Sequence, residues 1–258
     1  MKIIPNGNIL LFGGKNYAHQ GQSWRTFASL TEIDTSGNLI SQWISEESDS
    51  LNWSYSGVLA DDGGYVFTTG THIYINQASR LNDPIIKKLD NNYNELWEQP
   101  LFGRDSLPSS LHGHTKVINL RNENTYVLSS RTHKPMPEAE DGNFSDRFGT
   151  VIKVDDEGNF IWRRNYQYFT PEETIYEMHY FQDIHETSDG GFIACGEATA
   201  LDSSTEERPS RSWLVKMDEY GCIVEGCQEL EPNTTEELEL NAQTVSYTHL
   251  TLPTICSV

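Results

Sequence analysis

The sequence is poor in basic residues, in cysteine and in long apolar runs. Its 258 residues carry 18 Lys+Arg against 38 Asp+Glu, a formal charge of −20, and only four cysteines. A phosphate-binding face needs clustered Lys and Arg, and the chain offers no such run, which argues against nucleic acid as a partner. No stretch approaches the ~20 consecutive apolar residues of a spanning helix, so membrane insertion by helices is not expected. The start, Met1-Lys2-Ile3-Ile4-Pro5, lacks the apolar segment and cleavage site of a signal peptide. Catalytic signatures are missing too: there is no Gly-x-Ser-x-Gly elbow, phosphate-binding glycine loop, His-Glu-x-x-His or Cys-x-x-Cys. No segment sustains a helical hydrophobic period.

What is present is an internal repeat built from two alternating patterns. The first is a strand ending in Asp, a tight turn and a second strand: Leu30–Ile40 with Asp34 and Gly37, Ile86–Trp97 with Asp90, Val151–Trp162 with Asp155 and Gly158, and Leu214–Val224 with Asp218 and Gly221. The second is a turn followed by an apolar strand: Pro5-Asn6-Gly7-Asn8, Asp61-Asp62-Gly63-Gly64, Arg121-Asn122-Glu123-Asn124 and Ser188-Asp189-Gly190-Gly191 each open one. Alternating or β-branched runs flanking Gly/Asn/Asp turns read as β-hairpins. Two hairpins per repeat make a four-stranded antiparallel sheet, and radially stacked copies can bury the faces that one sheet cannot bury alone.

The expected fold is therefore all-β, a β-propeller with four blades over about residues 2–46, 52–103, 113–167 and 179–228. In the last blade, strands are expected over Tyr180–Glu186, Phe192–Glu197, Ser212–Asp218 and Cys222–Gln228. Propellers typically carry 4–8 blades, so four units read as an incomplete arc of a larger ring. The remaining blades of the same full-length chain are then expected partners. An acidic linker follows over 229–243.

Asp155-x-x-Gly158-x-x-x-Trp162 resembles the tryptophan-docking motif of quinoprotein-like propellers, in which Trp packs between blades. Asp90-x-x-Tyr93-x-x-x-Trp97 lacks the Gly, and the first and last copies have Ser41 and Glu225 at the Trp position. The whole unit, with its Ser-Asp-Gly-Gly-Phe-Ile and Trp-Leu-Val-Lys-Met-Asp-Glu-Tyr-Gly strings, resembles the repeats of secreted Bacteroidetes propeller proteins. Those often end in a Gly-Cys-x-x-x-x-Cys blade and a linker leading to a type IX secretion sorting domain. Gly221-Cys222 through Gly226-Cys227 is similar to that ending. The resemblance implies an extracellular or cell-surface location. Residues 244–258, with Val245-Ser-Tyr-Thr-His-Leu-Thr-Leu-Pro-Thr, resemble a translated sequencing-library adapter and are expected to be a non-native tail.

Cys222 and Cys227 are spaced for a small-loop disulfide in an oxidising compartment; two free thiols or half a zinc site are the alternatives. Cys195 reads as a buried small residue. The recurring Asp34, Asp90, Asp155 and Asp218 fit turn formation by their side chains better than calcium loops, which need six to eight oxygen ligands. Structural positions of the blade motif are Asp34, Asp90, Trp97, Asp155, Gly158, Trp162, Asp218 and Gly221.

Loop lengths point to a binding face. The first and third turns of each blade are tight, whereas Lys15–Arg25, His72–Asp83, Thr132–Phe148 and Thr199–Arg211 read as long connections on the opposite side. Ligand sites concentrate on such loops. The candidates there are Tyr17, His19, Trp24, His72, Tyr74, Arg104, His112, His114, His133, Arg147, Tyr176 and His179. Aromatic rings with Arg suit a glycan or an acidic ligand; a protein ligand is the other expectation. His112-Gly113-His114 has no fixed third ligand, so no metal is expected, nor any cofactor. The reading is a scaffold or ligand-binding module without an identifiable catalytic site. The opposing reading is an enzyme on the same fold, either a polysaccharide-active hydrolase or lyase or a quinone-dependent dehydrogenase.

Overall fold

The computed structural model describes residues 1–17, 25–45, 52–76, 79–101, 116–121, 123–135, 145–166, 178–199 and 210–223. Every described regular element is a β-strand. The first sheet comprises β1 (Lys2–Ile3), β2 (Ile9–Tyr17), β3 (Arg25–Ile33) and β4 (Leu39–Ile44). The second comprises β5 (Asn52–Leu59), β6 (Tyr65–Asn76), β7 (Ser79–Leu89) and β8 (Glu95–Pro100). The third comprises β9 (Lys116–Asn119), β10 (Thr125–Pro135), β11 (Ser145–Asp155) and β12 (Phe160–Tyr166), and the fourth β13 (Met178–Glu186), β14 (Phe192–Thr199) and β15 (Ser210–Met217).

Strands are paired antiparallel in sequence order within each sheet. One parallel pair, Arg147 with Met178, links the third sheet to the fourth. This is a β-propeller arrangement of four blades. The three strands described in the last blade lie within two residues of their expected bounds. Cys222 and Ile223 are not strand, and the rest of the expected fourth strand, with Glu225 and Cys227, lies outside the described residues. So do the linker 229–243 and the tail 244–258.

The turns form for a local reason. Asp34, Asp90, Asp155 and Asp218 each use Oδ1 to accept backbone N–H groups two and four residues ahead, at 2.7–2.9 Å. Asn38, Asn94 and Asn159 then donate side-chain hydrogen bonds back to the other oxygen at 2.8–2.9 Å. The aspartates are turn formers, as their spacing predicts.

Three clusters of buried side chains hold the four blades together, one in each gap. Leu10 and Leu30 meet Tyr65, Phe67 and Leu89 in the first gap. Val58, Val66 and Ile86 meet Tyr126, Leu128, Ile152 and Val154 in the second. Val127, Val151, Trp162 and Tyr166 meet Phe181, Phe192, Trp213 and Met217 in the third. Each large apolar side chain buried here contributes roughly 1.5–3 kcal/mol.

The blade motif explains how the second and third gaps are sealed. Trp97 at the outer edge of the second blade lies on the Gly158 turn of the third and donates from Nε1 to Asp156 O at 2.8 Å. Trp162 lies in the same way on the Gly221 turn of the fourth blade, where Tyr166 Oη donates to Gly221 O at 2.6 Å. Both glycines have positive φ, 85° and 74°, and a Cβ on either would stand within 2.9 Å of the indole. In the first gap the sizes are exchanged. Ser41 occupies the Trp position, and Tyr93, with φ 66°, occupies the Gly position. The Tyr93 ring stacks on Tyr65 at 5.2 Å and its hydroxyl meets that of Ser41. The departure from the motif is thus a reciprocal large-for-small substitution.

Two sequence expectations are corrected. His72–Asp83 is not a long open connection: the β6–β7 ladder continues through His72–Asn82 and Tyr74–Arg80 to Asn76–Ser79. The β10–β11 ladder likewise reaches Pro135–Ser145. Alternating β-prone residues such as Thr71-His-Ile-Tyr-Ile sustain pairing beyond the blade body. Cys195 is exposed, not buried, because it points away from the third blade, alternating with buried Phe192 and Ala194 across β14.

Candidate functional site

Two regions gather functional groups. The first is the long-connection end where the third and fourth blades meet. His133 and Arg147 are direct cross-strand partners on β10 and β11. Arg147 also pairs with Met178, the neighbour of His179. Ladder geometry therefore brings three of the twelve candidates to one corner. His179 is fully buried, with its ring edge-on to Trp213 at 5.3 Å. Tyr17 lies at the end of the β2–β3 ladder opposite Arg25, while His72 and Tyr74 lie on the extended β6–β7 ladder. His19, Trp24, Arg104, His112, His114 and Tyr176 lie outside the described residues.

The second region, missed by sequence reasoning, lies on the innermost strands, which line the central channel of this arrangement. Ser56, Lys116 and Asp183 occupy one equivalent register position on β5, β9 and β13, opposite Thr68, Ser129 and Cys195. Register shifts precede Ser56 and Asp183, and such bulges re-aim side chains. Ser56 Oγ accepts from Val117 N at 3.3 Å. Lys116 Nζ stands 3.2 Å from Asp183 Oδ1, and His185 Nε2 stands 3.5 Å from Asp183 Oδ2. Lys2, from β1, is within electrostatic reach of both Lys116 and Asp183. Desolvation, and after it repulsion from Lys116, hold its pKa below the ordinary lysine value, while Asp183 pulls the other way. The signal was available: aligning the repeats puts polar residues at one inner-strand position in three consecutive blades.

At the tight-turn end, a structural ionic hub ties the second blade to the third. Lys88, 3% exposed, meets Asp62 Oδ2 at 2.7 Å and Asp156 Oδ1 at 2.6 Å. Tyr126 Oη donates to the same Asp156 oxygen at 2.9 Å. Burial works against the Lys88 ammonium, but hydrogen bonds to Asp156 and Asp62 outweigh it and raise the pKa. Asp62 and Asp156 are thereby committed to packing the blades. Among the described residues, no group of three or more His, Cys, Asp and Glu is placed to hold a metal ion.

A propeller with a polar inner rung and a cluster of ladder-positioned polar residues at one corner is the class that this fold and geometry define. No family model and no curated protein matches the sequence. Among solved structures, the chain is similar to one described as "Glycoside hydrolase", at TM-score 0.44 and 9% identity over 83% of this chain and 72% of that one. It is also similar to a structure described as a complex of BT0996 and RGII, at TM-score 0.40 and 9% identity over 83% of this chain and 74% of that one.

Proposed function

We propose that the chain is part of a propeller that serves as a scaffold and ligand-binding module for a glycan or protein ligand. The observation that carries this reading is convergence. Blades held together by continuous apolar gaps also deliver polar groups from several different strands to the inner channel and to the His133–Arg147 corner. A rigid body that presents side chains from many strands to one point is suited to recognition. The resemblance of the repeat supports a secreted or cell-surface, Bacteroidetes-type origin with type IX sorting. It also supports further blades of the same chain as packing partners.

A disulfide between Cys222 and Cys227 belongs to this proposal, since it would pin the edge of the fourth blade in an oxidising compartment. Mass spectrometry of oxidised protein should find the two linked; two alkylated thiols would refute the bond. The functional reading is tested by a glycan array and a polysaccharide activity panel on the full-length protein. Saturable binding without turnover is the expected result. Turnover of any polysaccharide would replace the scaffold reading with an enzymatic one.

A further inference from the structure

We propose that Lys2 and Lys116, flanked by Asp183 and His185, form an anion subsite in the channel that takes the carboxylate of an acidic sugar. The inference deepens the ligand-binding reading and rests on it.

Four inner-strand side chains from three blades meet here, and they are unusual in this protein. The chain carries 38 acidic residues against 18 basic ones, yet two ammonium groups converge here with one carboxylate. Asp183 divides its oxygens between Lys116 at 3.2 Å and His185 at 3.5 Å. Lys2 senses Lys116 and Asp183 electrostatically but makes no ion pair among the described residues. Two lysines close enough to repel, with one acid between them, leave an excess positive charge that a ligand anion would neutralise. Asp183 itself demonstrates the geometry, because its carboxylate already seats against Lys116. A second carboxylate entering the channel would bridge Lys2 and Lys116 as a charge-assisted hydrogen-bond acceptor. The pair is partly open to solvent: the Lys116 and Asp183 side chains are 36% and 37% exposed. A ligand can therefore reach it without unfolding a blade.

Calorimetric titration of the full chain with glucuronate, and with glucose as the neutral control, tests the subsite. Glucuronate should bind and glucose should bind at least fivefold more weakly. Lys2→Gln and Lys116→Gln should each weaken glucuronate binding by about fivefold, the scale of one partly exposed charge contact. Asp183→Asn should tighten it, by removing the competing carboxylate. Equal affinity for the two sugars, or glucuronate binding unchanged in the Lys2→Gln/Lys116→Gln double variant, would overturn the proposal. Melting curves of the variants exclude misfolding as the cause. Failure here, alongside saturable binding of other ligands on the glycan array, would remove this subsite and leave the ligand-binding reading intact; turnover on the activity panel would overturn that reading independently.

Discussion

At the scale of single residues, the interfaces depend on matched sizes at two positions. Gly158 accommodates Trp97 only because it has no side chain: a Cβ would meet the indole at 2.8 Å. Its φ of 85° adds a second constraint. Gly158→Val should therefore destabilise the fold by roughly 2–4 kcal/mol, combining backbone strain with displacement of the ring. Urea unfolding followed by tryptophan fluorescence measures this, and a loss under about 1 kcal/mol would show that the turn tolerates a side chain. The Ser41–Tyr93 exchange allows a sharper test. Tyr93→Gly alone should cost about 2–4 kcal/mol by leaving a cavity against Tyr65, and Ser41→Trp alone should be destabilising by overpacking. Combined, they restore the arrangement of the next two gaps, so the double variant should be more stable than the two losses summed by about 1 kcal/mol or more. Simple additivity would mean that the two positions do not share one space.

At the scale of elements, the hairpins carry a pH dependence. Asp34 and Asp90 have pKa values below the ordinary carboxylate range, chiefly through the side-chain hydrogen bonds from Asn38 and Asn94 and then those from the backbone. A folded pKa below the unfolded one means that the unfolded state binds more protons as acid is added. The stabilisation is therefore complete above the unfolded carboxyl pKa, near about 4, and is lost as pH falls through the lowered folded values. Melting temperature should decline from about pH 5 toward about pH 2, and the Asp34→Asn/Asp90→Asn variant should show a flatter decline. An unchanged slope would remove the turns as its source.

The hairpins were also the most legible part of the sequence, because a turn is a local event: Asp, Gly and Asn at fixed offsets specify it without reference to the rest of the fold. The three described strands of the last blade followed from those turns and from alternation. The long-connection side was read less well. Turn residues were sought between strands, whereas cross-strand pairing carried β6 and β7 through residues whose composition resembles a loop. The channel residues were overlooked for the opposite reason. Lys2, Lys116 and Asp183 are separated by more than sixty positions in turn, and only the register of the blades brings them together. Cys195 was misjudged because its apolar neighbours mark a buried strand but do not say which face is covered.

At the scale of the whole molecule, four blades share three described core clusters, so each end of the row presents a sheet face that no described cluster covers. On the first blade, Ile9, Ile33 and Leu39 are register partners turned away from the second blade, and Leu39 is 61% exposed. On the fourth, Leu214 is 57% exposed opposite Cys195. Two complementary apolar ends favour head-to-tail association. Sedimentation velocity should show concentration-dependent oligomers for the 258-residue chain, and Leu39→Glu with Leu214→Glu should suppress them. A monomer at all concentrations would mean that both faces are covered within one chain.

The direction in which the indoles dock has a further meaning. In the second and third gaps, the bulky group comes from the earlier blade and its seat from the later one. A ribosome delivers Trp97 long before Gly158, and Trp162 long before Gly221. Each blade consequently waits, with its outer edge wet, for its successor to emerge, and the molecule matures vectorially, every new turn closing the blade made before it.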